Sequence, residues 1–187
     1  MAIWIDIIGS FVIGTLLTLN VARLNGDATA QAYQGMLLQS TQSNAAAVAR
    51  IIEEDVLKMG LDVEGTALTL ADTTQIRFLA DLGSDGVVDT LNYQISATSA
   101  AAHTPNPEDR ILYRTINSAP AEEIRLGLTR FRLDYFNAAG DSLTLPLTLD
   151  QVHHIRLDLT MESPQPYDQR FAKAFLRLYW SPKNLHL

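Results

Sequence analysis

Three kinds of side chain in this sequence have the type and spacing that chemistry requires. Asp81, Asp85 and Asp89 recur every fourth residue in DLGSDGVVD, with Gly86 directly after the second acid. Regularly spaced carboxylates around a glycine turn are the oxygen donors that an EF-hand loop offers to calcium. Counted from Asp81, the third and twelfth positions hold Gly83 and Asn92, where that loop takes Asp or Asn and then Glu, so the match is partial. The same residues also read as a hairpin, because Asp-Gly between two alternating stretches supplies a positive φ. A hairpin alone and a hairpin that holds calcium both remain open at this stage.

The other titratable groups give less. His153 and His154 are neighbours, so on a strand they point to opposite faces and cannot share one ion. Glu53, Glu54 and Asp55 fall on a helical stretch and Glu122 and Glu123 on a loop, where charges are usually solvated. No Ser-His-Asp order, phosphate loop or dinucleotide fingerprint is present. With no cysteine, the chain has no disulfide, thiolate nucleophile or Cys-type zinc site. The sequence therefore reads as non-enzymatic. Net charge is -7 without a run of Lys or Arg, which repels a phosphate backbone and argues against nucleic acid as a partner.

The third group is a single acid, Asp6, inside the stretch IWIDIIGSFVIGTLLTLNVA at 3–22. About 20 residues at 1.5 Å each cover roughly 30 Å of hydrocarbon, enough to cross a bilayer. A secretory signal peptide would need a basic start that residues 1–4 lack, and a soluble helix apolar on every face would have to be wrapped completely. Arg23, just after the span, favours a cytoplasmic C-terminal side. A carboxylate in such a helix costs several kcal/mol unless it finds a cation or sits at headgroup level. One cation is an α-amino group: Ala2 is small, so loss of Met1 would leave its amine free to pair with Asp6 of a neighbouring subunit. Ile3, Ile7, Phe11, Ile13, Leu16 and Leu17 are then the residues that pack against lipid or sister helices.

The elements that must position these groups divide the chain into 1–26, 27–60 and 61–187. Asn25 and Gly26 predict a kink or melted turn, with Asp27 capping a new start. Residues 27–60 read as an amphipathic helix whose stripe is Val48, Ile51, Ile52 and Val56. Beyond Gly60 the period falls to 2, predicting strands at 66–70, 75–82, 87–97, 110–117, 125–137, 142–149, 152–161 and 172–180. In RFRLDYF, Phe131, Leu133 and Tyr135 alternate with Arg130, Arg132 and Asp134, so one face meets a core and the other water; Ile155, Leu157 and Leu159 repeat the pattern. FNAAGDS around Gly140 predicts a second hairpin. The proline-bearing stretches 97–109 and 163–169 read as surface loops. Phe175, Tyr179 and Trp180 are expected to close the core, with an exposed adhesive patch as the alternative. The expected fold class is α+β, a long N-terminal helix packed on a mainly antiparallel sheet.

An apolar N-terminal helix with an acid near its start, a continuing amphipathic helix and β-rich segments such as ILYRTI, LTRFRLDYFNAAGD and VHHIRLDLTM resembles the type IV pilins and pseudopilins. The resemblance is nearest to the minor, PilW-like or J-type branch. It implies a structural subunit stored in the inner membrane and then polymerised through its helix into an extracellular filament or periplasmic pseudopilus. The implied partners are copies of itself, the membrane before assembly, other pilins and an assembly platform. On this resemblance Asp6 takes the place of the family's registering glutamate. A low-copy tip component and a membrane-anchored domain binding through 97–109 or 163–169 are the competing expectations.

Overall fold

The computed structural model describes residues 2–185, Ala2 by its backbone alone. The chain forms two compact units, Met1–Leu37 and Leu38–Leu187, and one helix, α1 (Ala2–Leu57), runs from the first into the second. The break expected at Asn25 and Gly26 does not form. A lone glycine costs a helix about 1 kcal/mol relative to Ala, whereas stopping and restarting leaves a set of backbone groups unpartnered at each new end. The Thr29 hydroxyl donates to the Asn25 carbonyl at 2.8 Å, a bond that an intact helical turn brings within reach.

Within the second unit, α1 buries Ala45, Val48, Ala49, Ile52 and Val56, the spacing of one helical face. Burying each Val or Ile contributes about 1.5–3 kcal/mol. That burial, more than propensity, holds this part of the helix on the sheet.

Seven strands follow: β1 (Leu68–Ala71), β2 (Gln75–Ala80), β3 (Asp89–Ile95), β4 (Arg110–Ile116), β5 (Glu122–Phe136), β6 (His154–Glu162) and β7 (Lys173–Trp180). They form one sheet in chain order, each strand antiparallel to the next. The architecture is α+β, a long N-terminal helix with an antiparallel β head. Phe131, Leu133, Tyr135, Ile155, Leu157 and Leu159 are buried, as their alternation predicts. The sheet curls far enough for the β1–β2 turn to reach β5: Leu133 N–H donates to the Thr73 carbonyl at 2.8 Å and the Tyr135 hydroxyl to that of Asp72 at 2.9 Å.

Most predicted strand ends lie within two residues of the observed ones, and two predicted segments differ by more. The segment 142–149 alternates but is not a strand; only Ser142 bridges to Phe136. Pro146 has no N–H to give a ladder, which overrides the pattern. Conversely β5 begins at Glu122, so Glu122 and Glu123 are strand residues opposite Arg114 and Tyr113 and not loop residues. The register of β5 slips against β4 between Arg110 and Leu112 and against β6 between Leu128 and Arg130. Gly127 sits beside these slips at φ +84°, with no room for a side chain: a Cβ there would lie 2.2 Å from the Glu162 carbonyl oxygen.

Candidate functional site

The first unit is an apolar helix with its apolar side chains uncovered. Ile3, Ile7, Phe11, Ile13, Leu16 and Leu17 are all exposed, the least of them by 55%. They lie on all sides of α1, and the helix is long and apolar enough to cross a membrane. Two of its hydroxyls, on Thr15 and Thr18, are compatible with hydrocarbon because they are satisfied within the helix. Thr15 donates to the Phe11 carbonyl at 2.8 Å and Thr18 to that of Gly14 at 2.9 Å. Asp6 is exposed and has no ion pair among the described residues. Met1 and the side chain of Ala2 lie outside the described residues, so the predicted amine partner does too.

In the acidic loop between β2 and β3 the carboxylates accept hydrogen bonds close at hand. Asp81 is buried and accepts the amides of Asp85 and Gly86 at 3.2 and 2.8 Å, and these amides, Gly86 first, hold its carboxyl below the usual range. Asp85 accepts the amide of Val87 at 3.0 Å. Asp89 accepts the amide of Leu82 at 3.3 Å and the side-chain amide of Asn117 at 2.7 Å. Gly86 has the positive φ, +79°, that the hairpin reading requires. Among the described residues, no three Asp, Glu or His side chains gather as a metal site. Around Gly140, Asn137 N–H donates to the Asp141 carbonyl at 3.0 Å, closing the second turn.

The head contains a polar cluster that the sequence reading missed. Asp55, expected to be solvated, is buried; Arg114 grips it with Nε at 2.7 Å and Nη2 at 3.1 Å. The Tyr93 hydroxyl donates to the same carboxylate. Burial, reinforced by the adjacent carboxylate, pushes the Tyr93 phenol far above its ordinary range, while the Asp55 hydrogen bond raises Arg114. The cluster ties α1 to β3 and β4. Spacing carried the signal: Asp55 stands three residues after Ile52 and seven after Val48, on the buried stripe. Glu53 and Glu54 point to solvent, as expected. No protein-family model matches the chain, and no curated protein matches it.

The two loops expected at the surface are partly built into the head. In 97–109, Ala101, Asn106 and Asp109 are buried, and Ser163 in the other loop is 1% exposed. The Asn106 amide donates to Glu162 at 2.7 Å, and Lys173 pairs with the other Glu162 oxygen at 2.6 Å. Burial pushes the Asp109 carboxyl up, the negative charge of Glu162 adds to this, and Thr104 and His103 oppose it. Its Oδ1 has no hydrogen-bond partner among the described residues.

The aromatic expectation holds for one ring in three. Trp180 is 5% exposed and closes the core, but Phe175 and Tyr179 are 56% and 53% exposed. Odd positions on β7 face outward, so the two rings belong to the outer face of β5, β6 and β7. In register across that face stand Arg132, Asp158 and Arg177, then Asp134, Arg156 and Tyr179. Arg177 holds Asp158 through Nε at 2.7 Å and Nη2 at 2.9 Å, which keeps the Asp158 carboxyl below its usual range. Arg156 reaches Asp134 at 2.7 Å and lies 5.2 Å from the centre of the Phe136 ring. His154 stacks on Tyr179 at 5.5 Å and its Nδ1 lies 2.7 Å from the Ser181 hydroxyl. His153 precedes β6 and His154 is its first residue.

Proposed function

We propose that this chain is a structural subunit of a type IV pilin-like filament, held in the inner membrane by α1 and then polymerised through it. The observation that carries the reading is the helix of the first unit, whose large apolar side chains from Ile3 to Leu24 are all exposed. Such a surface must be covered by lipid or by other apolar helices. One helix exchanging one cover for the other explains both a membrane-stored form and an assembled form. A head with its own core supports this division of labour, since assembly then requires no change in the β sheet. Contacts between helices related by translation and rotation do not close, and so they propagate as a filament.

Asp6 sets the register in this reading. A carboxylate transferred into a bundle of apolar helices needs a cation, and an α-amino group of the adjacent subunit supplies one. Electron microscopy of assemblies formed by the full chain tests the proposal. Filaments are expected from the native chain and from Asp6→Glu, and shortened or absent filaments from Asp6→Ala. Monomers or small closed rings from the native chain would reject it. The ratio of this chain to any co-purifying filament subunit separates a main building block from a tip component.

A further inference from the structure

The two edges of the sheet are finished differently. At the β1 edge, Thr66 donates to Asp150 at 2.6 Å and Ala67 N–H to the Leu185 carbonyl at 3.4 Å, so neighbouring chain covers the start of the strand. At the β7 edge, among the described residues, no backbone hydrogen bond reaches Lys173–Trp180 from any element but β6. The core is also less closed there. Leu176 and Leu178 face inward with the core yet stay only partly buried, while their β6 partners Leu159 and Leu157 are 0% exposed. An open backbone edge, two half-covered leucines and two exposed aromatic rings coincide on one strand.

The occupant that fits this edge is written in the strand itself. The geometry points to β7 pairing antiparallel with β7 of a second copy, centred on Leu176, to join two sheets into one. In that register Leu176 meets its own counterpart and Ala174 meets Leu178, so the inward face is apolar throughout. On the outward face Phe175 meets Arg177 and Lys173 meets Tyr179, so each cation lies against a ring of the other copy. Lysine and arginine on an edge strand normally deter pairing. Here both cations are already neutralised by β6, Lys173 by Glu162 at 2.6 Å and Arg177 by Asp158 at 2.7 Å. The repulsion expected between two basic strands is thereby reduced, while unrelated acidic or bulky strands find neither the register nor the ring partners. Arg177 lies 5.6 Å from the centre of its own Phe175 ring, which holds the guanidinium on the outward face where the partner's ring would arrive.

Because the chain has no cysteine, a single introduced thiol reports the register directly. Residues directly opposite in an antiparallel pair stand within the Cα range a disulfide spans, and only the central residue faces its own copy. The full chain in detergent is oxidised mildly as Leu176→Cys, Lys173→Cys and, on the other edge, Thr69→Cys. A cross-linked dimer is expected for Leu176→Cys and not for the other two. Equal yields at all three, or no dimer at Leu176→Cys with a native melting profile, would overturn the proposal. Independently of any thiol, sedimentation should show that Phe175→Ala raises the dimer dissociation constant about tenfold, since symmetry removes the ring–guanidinium contact twice. A dissociation constant unchanged in Phe175→Ala would count against the pairing. Filament assembly runs through α1, so loss of this contact and loss of the filament are separate outcomes.

Discussion

Asp55 shows why a charge cannot be placed from its neighbours in sequence. It shares the run EED with Glu53 and Glu54, yet a rotation of about 100° per residue turns it alone onto the face that carries Ile52 and Val56. Once there it must be ion-paired and hydrogen-bonded, and Arg114 and Tyr93 do both. Arg114→Met should destabilise the head by about 2–4 kcal/mol by stranding the carboxylate, read as a lowered thermal midpoint. Asp109 is the opposite case, a buried carboxyl whose raised pKa means the native state favours its neutral form. Its stabilising contribution is therefore present in acid and lost as pH rises through the raised value. Asp109→Asn is expected to melt above the native chain at pH 7, with the gap closing on acidification as the native carboxyl regains its proton. Asp81 and Asp158 act in the reverse sense, since their lowered values give stability above the ordinary carboxylate range that is lost on further acidification.

Elements respond to local pattern and to what packs against it, and β5 separates the two. Its alternation was enough to assign the inward residues, but its length and its bend depend on partners. Glu122 and Glu123 join the strand because β4 lies alongside, and Gly127 sits beside the slip where the Glu162 carbonyl of β6 leaves no room for a Cβ. Gly127→Ala should cost about 2–4 kcal/mol, because both the positive φ and the Glu162 carbonyl oppose a Cβ. Gly140→Ala, at φ +87° in an open turn, should cost only about 1 kcal/mol. Denaturant melts of the two variants side by side give the comparison. The helix makes the same point from the other direction: Asn25 and Gly26 look like a stop signal, but a weak breaker without proline does not interrupt a helix long enough to absorb its cost.

For the whole molecule, the separation between an uncovered apolar helix and a head with its own core is what the proposed function uses. Ile13→Asp, near the middle of the apolar stretch, should lower membrane insertion by about 2.5–3.5 kcal/mol, measured as the fraction of full chain retained in washed membranes, and leave the head's melting transition unchanged. A shifted head transition would show that the two units are not independent. Much of this organisation was legible in residues alone, because it rests on periods: apolar on all sides at 3–22, a 3.6-residue stripe at 48–56, and alternation from β2 to β7. Those patterns follow from where a backbone of given geometry points its side chains, and they need no knowledge of partners. What tertiary structure decided was everything set by a second segment far away in sequence. Arg114 arrives from β4 to claim Asp55, amides fold back onto Asp81, and β6 neutralises the cations of β7. The fates of Phe175, Tyr179 and Trp180 differ for that reason: strand period puts Trp180 on one face and the other two on the opposite one, but only the sheet's order and curl determine which face is covered and which edge is left open.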